Sequence, residues 1–297
     1  MHDLSPRHTL ELFDKLILPI LNYGSEVWGF TNGIHTERIQ LNFCKRLLGI
    51  KTSTQNDFVY GETGRCRLQN IRFFNIIKYW LKVCMASDSK YIKIVYNCLK
   101  QKSDGNERII NWVSKVKGVL SKLGFYEVWL NQGAGNTNVF LSVVKQRISD
   151  IYKQEINDNL HTSSRALLYR NLFDNNFANY LEIIKVRKYR IALSRLRMSS
   201  HRLAIESGRW RKPEKVPLDQ RVCSLCNVLE DEFHFVLKCE KYNELRSRYI
   251  QKYYWNHPSM EKFIQLLKED NSKVIRNLAV FAYKAFIKRQ ESFAVTN

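Results

Sequence analysis

The sequence predicts an all-α protein with two helical subdomains and a small C-terminal module built on four cysteine and histidine residues. Three observations lead to this prediction. Apolar residues recur with a helical period along most of the chain, whereas strand signals are few and short. Apolar residues make up 44% and aromatic residues 12% of the sequence, which is enough for packed cores. Four potential metal ligands also lie close together near the C-terminus.

The helices are predicted one by one from these apolar stripes. Pro19 should kink the first helix, and Gly49 and Gly124 stand where two others should end. The segment 207–220 contains one glycine and two prolines, which favours an extended chain. The stripes predict helices at residues 9–22, 34–48, 68–86, 91–99, 109–123, 139–160, 165–173, 187–198, 240–254, 260–267 and 274–286.

A loop rich in glycine and asparagine at residues 131–137 is predicted to be a domain boundary. We therefore expect a helical domain at 1–130 and a helical connector at 131–184. The remaining segment, 185–297, would contain a basic helix, the cysteine and histidine module and the C-terminal helices.

Cys223, Cys226, His234 and Cys239 form the pattern C-x2-C-x7-H-x4-C. This ligand set is typical of a closed, four-coordinate structural Zn²⁺ site, because thiolate and imidazole suit zinc and four protein ligands leave no position for a catalytic water. Two other interpretations remain. The four residues could be unrelated, with buried thiols among them, or the Cys-x-x-Cys pair could be a redox motif, which would need a preceding strand and a helix N-terminus.

The other cysteines, Cys44, Cys66, Cys84 and Cys98, stand singly and are interpreted as small core residues rather than as disulfide partners. No secretion signal is recognisable, so a reducing, intracellular compartment is expected. No run of about 18 apolar residues predicts a transmembrane helix.

The chain is strongly basic, with 48 lysine and arginine residues against 28 aspartate and glutamate residues, a net charge of +20. Such an excess favours a polyanionic partner, nucleic acid before an anionic membrane surface. The alternative is a basic surface that serves only solubility.

Nearly half of this excess lies at residues 185–215, where eleven basic residues minus two acidic ones give +9. Guanidinium groups bind phosphate through paired N–H donors, and aromatic rings stack on unpaired bases, so the stretch favours single-stranded or irregular nucleic acid. A solvated helix face, with Trp210 in a core, is the alternative. The candidate nucleic-acid-binding residues are Lys185, Arg187, Lys188, Arg190, Arg195, Arg197, Arg202, Arg209, Trp210, Arg211 and Lys212.

Three blocks of sequence together resemble the C-terminal part of reverse transcriptases from non-LTR retrotransposons of the LINE type, in particular jockey-like elements. The first block is Leu18-Pro-Ile-Leu-Asn-Tyr-Gly-Ser-Glu-Val-Trp-Gly29, which is similar to the start of the thumb. The second is Arg195-Leu-Arg-Met-Ser-Ser-His201 with Gly208-Arg-Trp210 and Arg221. The third is the cysteine and histidine array, followed by Tyr242 and Arg246.

This resemblance implies a chain that binds element RNA and target DNA in the nucleus, with a thumb-like domain at 1–130. It also implies a polymerase core supplied by a parent or related chain. The sequence has no Asp-Asp dipeptide of the kind that holds two Mg²⁺ ions in such polymerases, and only 22 residues precede Tyr23, where the palm would lie. A non-catalytic region is therefore expected. The alternatives are a protein-interaction scaffold with a purely structural zinc site and an active polymerase with unrecognised carboxylates.

Overall fold

A computed structural model describes residues 4–31, 33–106, 108–211 and 213–294. Within these residues the protein is almost entirely helical, which confirms the all-α prediction. The β-structure of the described residues consists of two isolated antiparallel bridges, Thr63 to Phe177 and Val222 to Leu229. None of the described helices has both the length and the apolar character needed to cross a lipid bilayer.

The chain divides into two compact units. Unit 1 comprises the described residues of Met1–Glu11, Gln40–Arg65 and Asp158–Asn297, and unit 2 comprises Leu12–Ile39 and Cys66–Asn157. Three of the four bounds fall within helices and the fourth, Arg65 to Cys66, lies in a loop, and none coincides with the boundaries at 130 and 184 drawn from the sequence. The three-part division into domains stays a prediction.

Unit 2 is built around the residues of its longest apolar helices. Trp80 is fully buried, donates to the Tyr96 hydroxyl (Nε1 to Oη, 3.1 Å) and stacks on Trp129 with a ring centroid distance of 5.9 Å. Val116 and Leu120, one helical turn apart, are also fully buried in this core. Helices with residues in this unit are α1 (Pro6–Leu16), α2 (Leu18–Leu21), α3 (Ser25–Trp28), α4 (Ile34–Leu48), α6 (Leu68–Cys84), α7 (Tyr91–Gly105), α8 (Trp112–Lys122), α9 (Tyr126–Leu130) and α10 (Thr137–Thr162).

Unit 1 contains the last part of the chain and packs around its C-terminal helix. Phe235, Phe281 and Phe286 form an aromatic core, in which the rings of Phe235 and Phe286 stack 4.9 Å apart. The parts of α1, α4 and α10 outside unit 2 also belong to it. Its other helices are α5 (Asn56–Thr63), α11 (Tyr180–Ile183), α12 (Arg187–Arg197), α13 (Ala204–Ser207), α14 (Asn243–Tyr249), α15 (Lys252–Trp255), α16 (Met260–Lys268) and α17 (Ser272–Ala294).

The helix predicted at 165–173 is wrong, since the structure has only a short 3₁₀ turn there, Tyr169–Asn171. Tertiary packing explains the difference. The Tyr169 ring is buried against Phe58 at a centroid distance of 4.4 Å, and its hydroxyl donates to the Phe58 carbonyl at 3.0 Å. These contacts fix the local backbone more strongly than helix propensity does.

Candidate metal centre and basic surface

The first two candidate ligands lie on a tight turn. The Cys223 N–H donates to the Val228 carbonyl at 2.8 Å, and the Asn227 N–H donates to the Cys223 carbonyl at 2.9 Å. Asn227 adopts a left-handed conformation (φ 51°), which asparagine tolerates better than most residues. The turn thus brings Cys223 and Cys226 together and reverses the chain toward the other two ligands.

The second pair of ligands bounds a single π-helical turn, His234–Lys238. The Cys239 N–H donates to the His234 carbonyl five residues earlier, at 2.7 Å, and the Asp231 carboxylate accepts from the His234 N–H at 2.7 Å. A π-turn is wider than an α-helical turn, and such turns are frequent at functional sites. Here it places His234 and Cys239 on the same side of the backbone.

The ligand atoms of all four predicted residues converge. One atom from each of Cys223, Cys226, His234 and Cys239 lies within 4.8 Å of the others, so the four residues, called the CCHC cluster below, could hold a metal ion. The Cys239 sulfur is 3.8 Å from that of Cys223 and 3.9 Å from that of Cys226. A disulfide would require about 2.05 Å, so these are separate thiols facing a common point.

The His234 ring has the property expected of a metal ligand. The residue is 6% exposed, and neither its Nδ1 nor its Nε2 has a hydrogen-bond partner. Burial lowers the pKa of His234, so the ring is held in the neutral form that ligates metals. A buried imidazole without a partner carries a desolvation cost, which coordination of a metal ion by one nitrogen would offset.

The thiols of Cys223 and Cys239 are buried, and that of Cys226 is half-buried. Burial is the main cause that raises the pKa of the Cys239 thiol to about 12, the adjacent thiols of Cys223 and Cys226 contribute to this increase, and the Lys241 N–H opposes it. A bound metal ion would stabilise the thiolates and release their protons.

Arg246 stabilises the π-helical turn through hydrogen bonds to its carbonyl groups. Its side chain is 3% exposed and donates to the carbonyls of Val236 (2.8 Å) and Cys239 (2.7 Å) and to the Asn243 side chain (2.5 Å). Two of these bonds satisfy carbonyls of the turn that carries two ligands. Arg246 therefore has a structural role in the cluster.

Glu230 connects the CCHC cluster to the rest of unit 1. Its carboxylate accepts two bonds from the buried Arg289 guanidinium, at 2.7 and 2.6 Å, and one from the Ala204 N–H at 2.6 Å. Its backbone also pairs with Ile205 and Arg221. The ligand turn is thus attached to α17 on one side and to α13 on the other.

A second buried carboxylate, Glu232, joins the cluster to the end of α12. It accepts from the Ser199 hydroxyl at 2.5 Å and contacts His201 Nε2 at 2.8 Å. Burial opposes the ionisation of Glu232, but His201 and Ser199 hold its pKa below the usual value. Because the carboxylate lies between the hydroxyl and the imidazole, this is not the serine–histidine contact of a nucleophile and its base. The sequence around Glu230–Glu232 does not indicate that these carboxylates pair with residues as distant as Ser199, His201 and Arg289.

Two of the predicted nucleic-acid-binding residues are buried in unit 1. Arg190 is 6% exposed and donates to the Ile184 carbonyl at 3.0 Å. Arg197 is 7% exposed and pairs with Glu62 at 2.9 Å. Phosphate cannot reach guanidinium groups that are engaged in this way, so we remove both residues from the candidate set. The predicted bounds of the basic helix do not reveal which of its arginine side chains are buried.

Most of the other predicted residues are accessible, and Trp210 is 57% exposed rather than part of a core. Arg209 is half-buried and pairs with Glu206 at 2.9 Å. Lys212 lies outside the described residues. The exposed candidates are Lys185, Arg187, Lys188, Arg195, Arg202, Trp210 and Arg211.

The fold adds cations from distant segments to this set. The loop after α4 lies against the end of α12, where Arg195 Nε donates to the Gly49 carbonyl (2.8 Å) and Lys51 Nζ to the His201 carbonyl (2.5 Å). Arg165 donates to the carbonyl of Ser53 in the same loop at 3.3 Å. The basic cluster is defined as Lys51, Arg165, Arg195 and Arg202.

The charges of the basic cluster act on one another. Burial is the main reason that the pKa of Lys51 is lowered. Glu206 opposes the shift, and Arg202, Arg165 and Arg195 add to it. Within the described residues, Lys51, Arg195 and Arg202 form no ion pair with a carboxylate. The cluster therefore carries positive charge that an anion would neutralise. Sequence reasoning missed Lys51 and Arg165, which lie far from the basic stretch.

No protein family model matches this chain, and neither a curated protein nor a solved structure matches it.

Proposed function

We propose that this chain is a zinc-stabilised, nucleic-acid-binding protein. The observation that carries the proposal is the physical connection between two features. Glu230, which lies between Cys226 and His234, accepts hydrogen bonds from the backbone N–H groups of Ala204 and Ile205. These two residues follow Arg202 of the basic cluster by two and three positions. A metal ion that orders the ligand turn would thus also fix the direction of the basic cluster.

The spacing of the sulfur atoms supports zinc as the ion. Two thiolates at about 2.3 Å from a tetrahedral zinc ion lie about 3.8 Å apart. The observed separations from Cys239 are 3.8 and 3.9 Å. Three thiolates and one imidazole form a soft donor set that suits zinc better than magnesium or calcium. With four protein ligands, the ion would supply structural stability rather than an activated water.

The resemblance to non-LTR retrotransposon reverse transcriptases supports a more specific proposal. The chain would be a non-catalytic C-terminal region of such an enzyme, in the nucleus, acting with a polymerase core supplied by another chain. Of the three resembling blocks, the first contains α2 and α3, the second contains the end of α12, and the third contains the CCHC cluster.

We expect binding of RNA and DNA to weaken steeply with salt, because phosphate contacts dominate. The slope of log affinity against log salt should be about −0.9 per neutralised phosphate on duplex and about −0.7 on a single strand. The double variant Arg195→Ala, Arg202→Ala should bind all sequences more weakly and with a shallower slope, since phosphate contacts position the protein without reading sequence. Fluorescence anisotropy with several labelled sequences measures both effects.

The matched control is Lys273→Ala, which removes an exposed cation at the start of α17, outside the basic cluster. It should leave both affinity and slope nearly unchanged. Failure of the wild-type protein to bind any nucleic acid at low salt would contradict the proposed function. Weakening at one sequence alone would show base recognition instead of phosphate contact.

A protein-interaction scaffold is the second candidate, and exposed apolar side chains in unit 2 favour it. Leu16 is 61%, Ile20 72% and Tyr23 86% exposed, all within α1, α2 and the turn that follows. Apolar side chains concentrated on a short segment are typical of a surface that a partner covers. A stable protein complex that survives nuclease treatment, together with weak and salt-insensitive binding of nucleic acid, would favour this function.

A further inference from the structure

Trp210 is the most exposed large aromatic side chain near the basic cluster. It is 57% exposed, and the Arg165 guanidinium lies 5.1 Å from the ring centroid. Tryptophan is usually largely buried, because its ring has a large apolar surface. A ring that is more than half exposed and lies beside a cation has the form of a stacking platform.

Hydrogen bonds hold the guanidinium beside the ring and the backbone that carries it. The Arg165 guanidinium donates to the Ser53 carbonyl at 3.3 Å and lies 3.9 Å from the Glu206 carboxylate. The backbone N–H of Trp210 donates to the Ser207 carbonyl at 3.2 Å at the end of α13. A ligand that stacks here would therefore lose little free energy in ordering the site, which is the advantage of a preorganised surface.

Three cations of the basic cluster contact one loop. Arg195 donates to the Gly49 carbonyl, Lys51 lies two residues later, and Arg165 donates to the Ser53 carbonyl. The loop is closed by a turn, in which the Thr54 N–H donates to the Lys51 carbonyl at 3.1 Å. Trp210 lies against Arg165.

We propose that Trp210 and the basic cluster form a binding site for single-stranded nucleic acid, with one unpaired base stacked on Trp210 and the adjacent phosphates bound at Lys51, Arg195 and Arg202. This inference rests on the proposed function and specifies its substrate.

The geometry favours a single strand over a duplex for a physical reason. In a duplex each base is stacked between its neighbours, and its face is not available to a side chain on the protein surface. A duplex would therefore contact only the cations and leave Trp210 uncovered. A single strand can place a base on the ring and its phosphates on the cations at the same time.

The test compares the zinc-loaded protein, residues 1–297, with its Trp210→Leu variant on a labelled 12-nucleotide oligothymidylate and a 12-base-pair duplex at one salt concentration. We expect the wild-type protein to prefer the single strand. Trp210→Leu should weaken binding to the single strand by about tenfold and leave binding to the duplex nearly unchanged. Trp210→Phe, which keeps an aromatic face, should retain most of the affinity.

The matched control is Tyr253→Leu. Tyr253 is 55% exposed, and Lys262 lies 4.9 Å from its ring centroid, but it lies outside the basic cluster. This variant should bind both probes like the wild-type protein. Zinc content and circular dichroism of each variant verify folding, and Lys51→Ala should weaken binding to both probes.

The outcomes separate the two proposals. If the wild-type protein binds neither probe at low salt, both proposals are overturned. If it binds both probes but Trp210→Leu retains full affinity for the single strand, only the single-strand site is overturned. Equal affinity of the wild-type protein for the two probes has the same consequence. Selective loss of single-strand binding in Trp210→Leu supports the site.

Discussion

Replacing Cys239 with serine is expected to abolish metal binding and to disorder the chain from Arg221 to Arg246, while unit 2 keeps its helices. A serine hydroxyl is a poor zinc ligand, and the remaining three ligands no longer close the site. The turn that carries Cys223 and Cys226 contains few residues, so a bound ion would supply much of its stability. Structural zinc sites contribute roughly 10–16 kcal/mol in isolated finger peptides, and the packing of unit 1 should reduce the net loss here.

Elemental analysis and hydrogen exchange measure this effect. Zinc should fall from one ion per chain to none, and the amides of Asn227, Glu230 and Cys239, which are hydrogen-bonded in the structure, should lose protection. Cys98→Ser is the control, because this exposed thiol lies in unit 2. Full zinc content and unchanged protection in Cys239→Ser would contradict a structural role of the cluster.

Replacing Arg197 with alanine is expected to lower the free energy of unfolding by about 3–5 kcal/mol, because it removes one partner of a buried ion pair. The Arg197 guanidinium donates to both oxygens of Glu62, at 2.9 to 3.2 Å, and also to the Leu267 carbonyl. Burial works against its charge, yet Glu62 raises the pKa of Arg197. In the variant the Glu62 carboxylate would remain buried beside Tyr180 without its cation.

Urea denaturation followed by circular dichroism measures this loss. Arg195→Ala is the matched control, since Arg195 is on the same helix but exposed, and surface substitutions usually change stability by less than about 0.5 kcal/mol. The double variant Glu62→Gln, Arg197→Met should lose less than the sum of its single changes, because the partners are removed together. Equal stability of Arg197→Ala and Arg195→Ala would refute the buried pair.

The sequence predicted those parts of the fold in which local pattern and tertiary packing agree. The bounds of α4 are those predicted, and Gly49, directly after it, has the left-handed φ of 65° expected for a helix end. Its neighbour Ile191 leaves no room for a side chain at that position. Pro19 is the opposite case, since it lies in the first turn of the separate helix α2 instead of kinking one long helix.

The sequence did not predict α5, because its residues show no apolar stripe. Phe58, Val59, Tyr60, Gly61 and Glu62 are all buried, so the helix has no clear polar face for a pattern to reveal. The helix is buried by other parts of unit 1, and this burial is visible only in the folded structure.

The candidate site shows the same contrast. The CCHC cluster could be predicted because its four residues lie within one short segment, from Cys223 to Cys239, whose spacing reflects the geometry of metal binding. The ion pair of Arg197 and Glu62 joins residues 135 positions apart, and Lys51 meets His201 over 150 positions. A basic stretch shows neither which cations turn inward nor which distant cations join it.

X-ray absorption spectroscopy at the zinc edge, on the purified protein with one bound ion per chain, tests most directly whether the CCHC cluster is a closed zinc site. A closed CCHC site should show three sulfur ligands at about 2.3 Å and one nitrogen ligand at about 2.0–2.1 Å. An oxygen ligand from solvent, fewer than three sulfur ligands, or a protein that retains no zinc at all would contradict a closed site formed by Cys223, Cys226, His234 and Cys239.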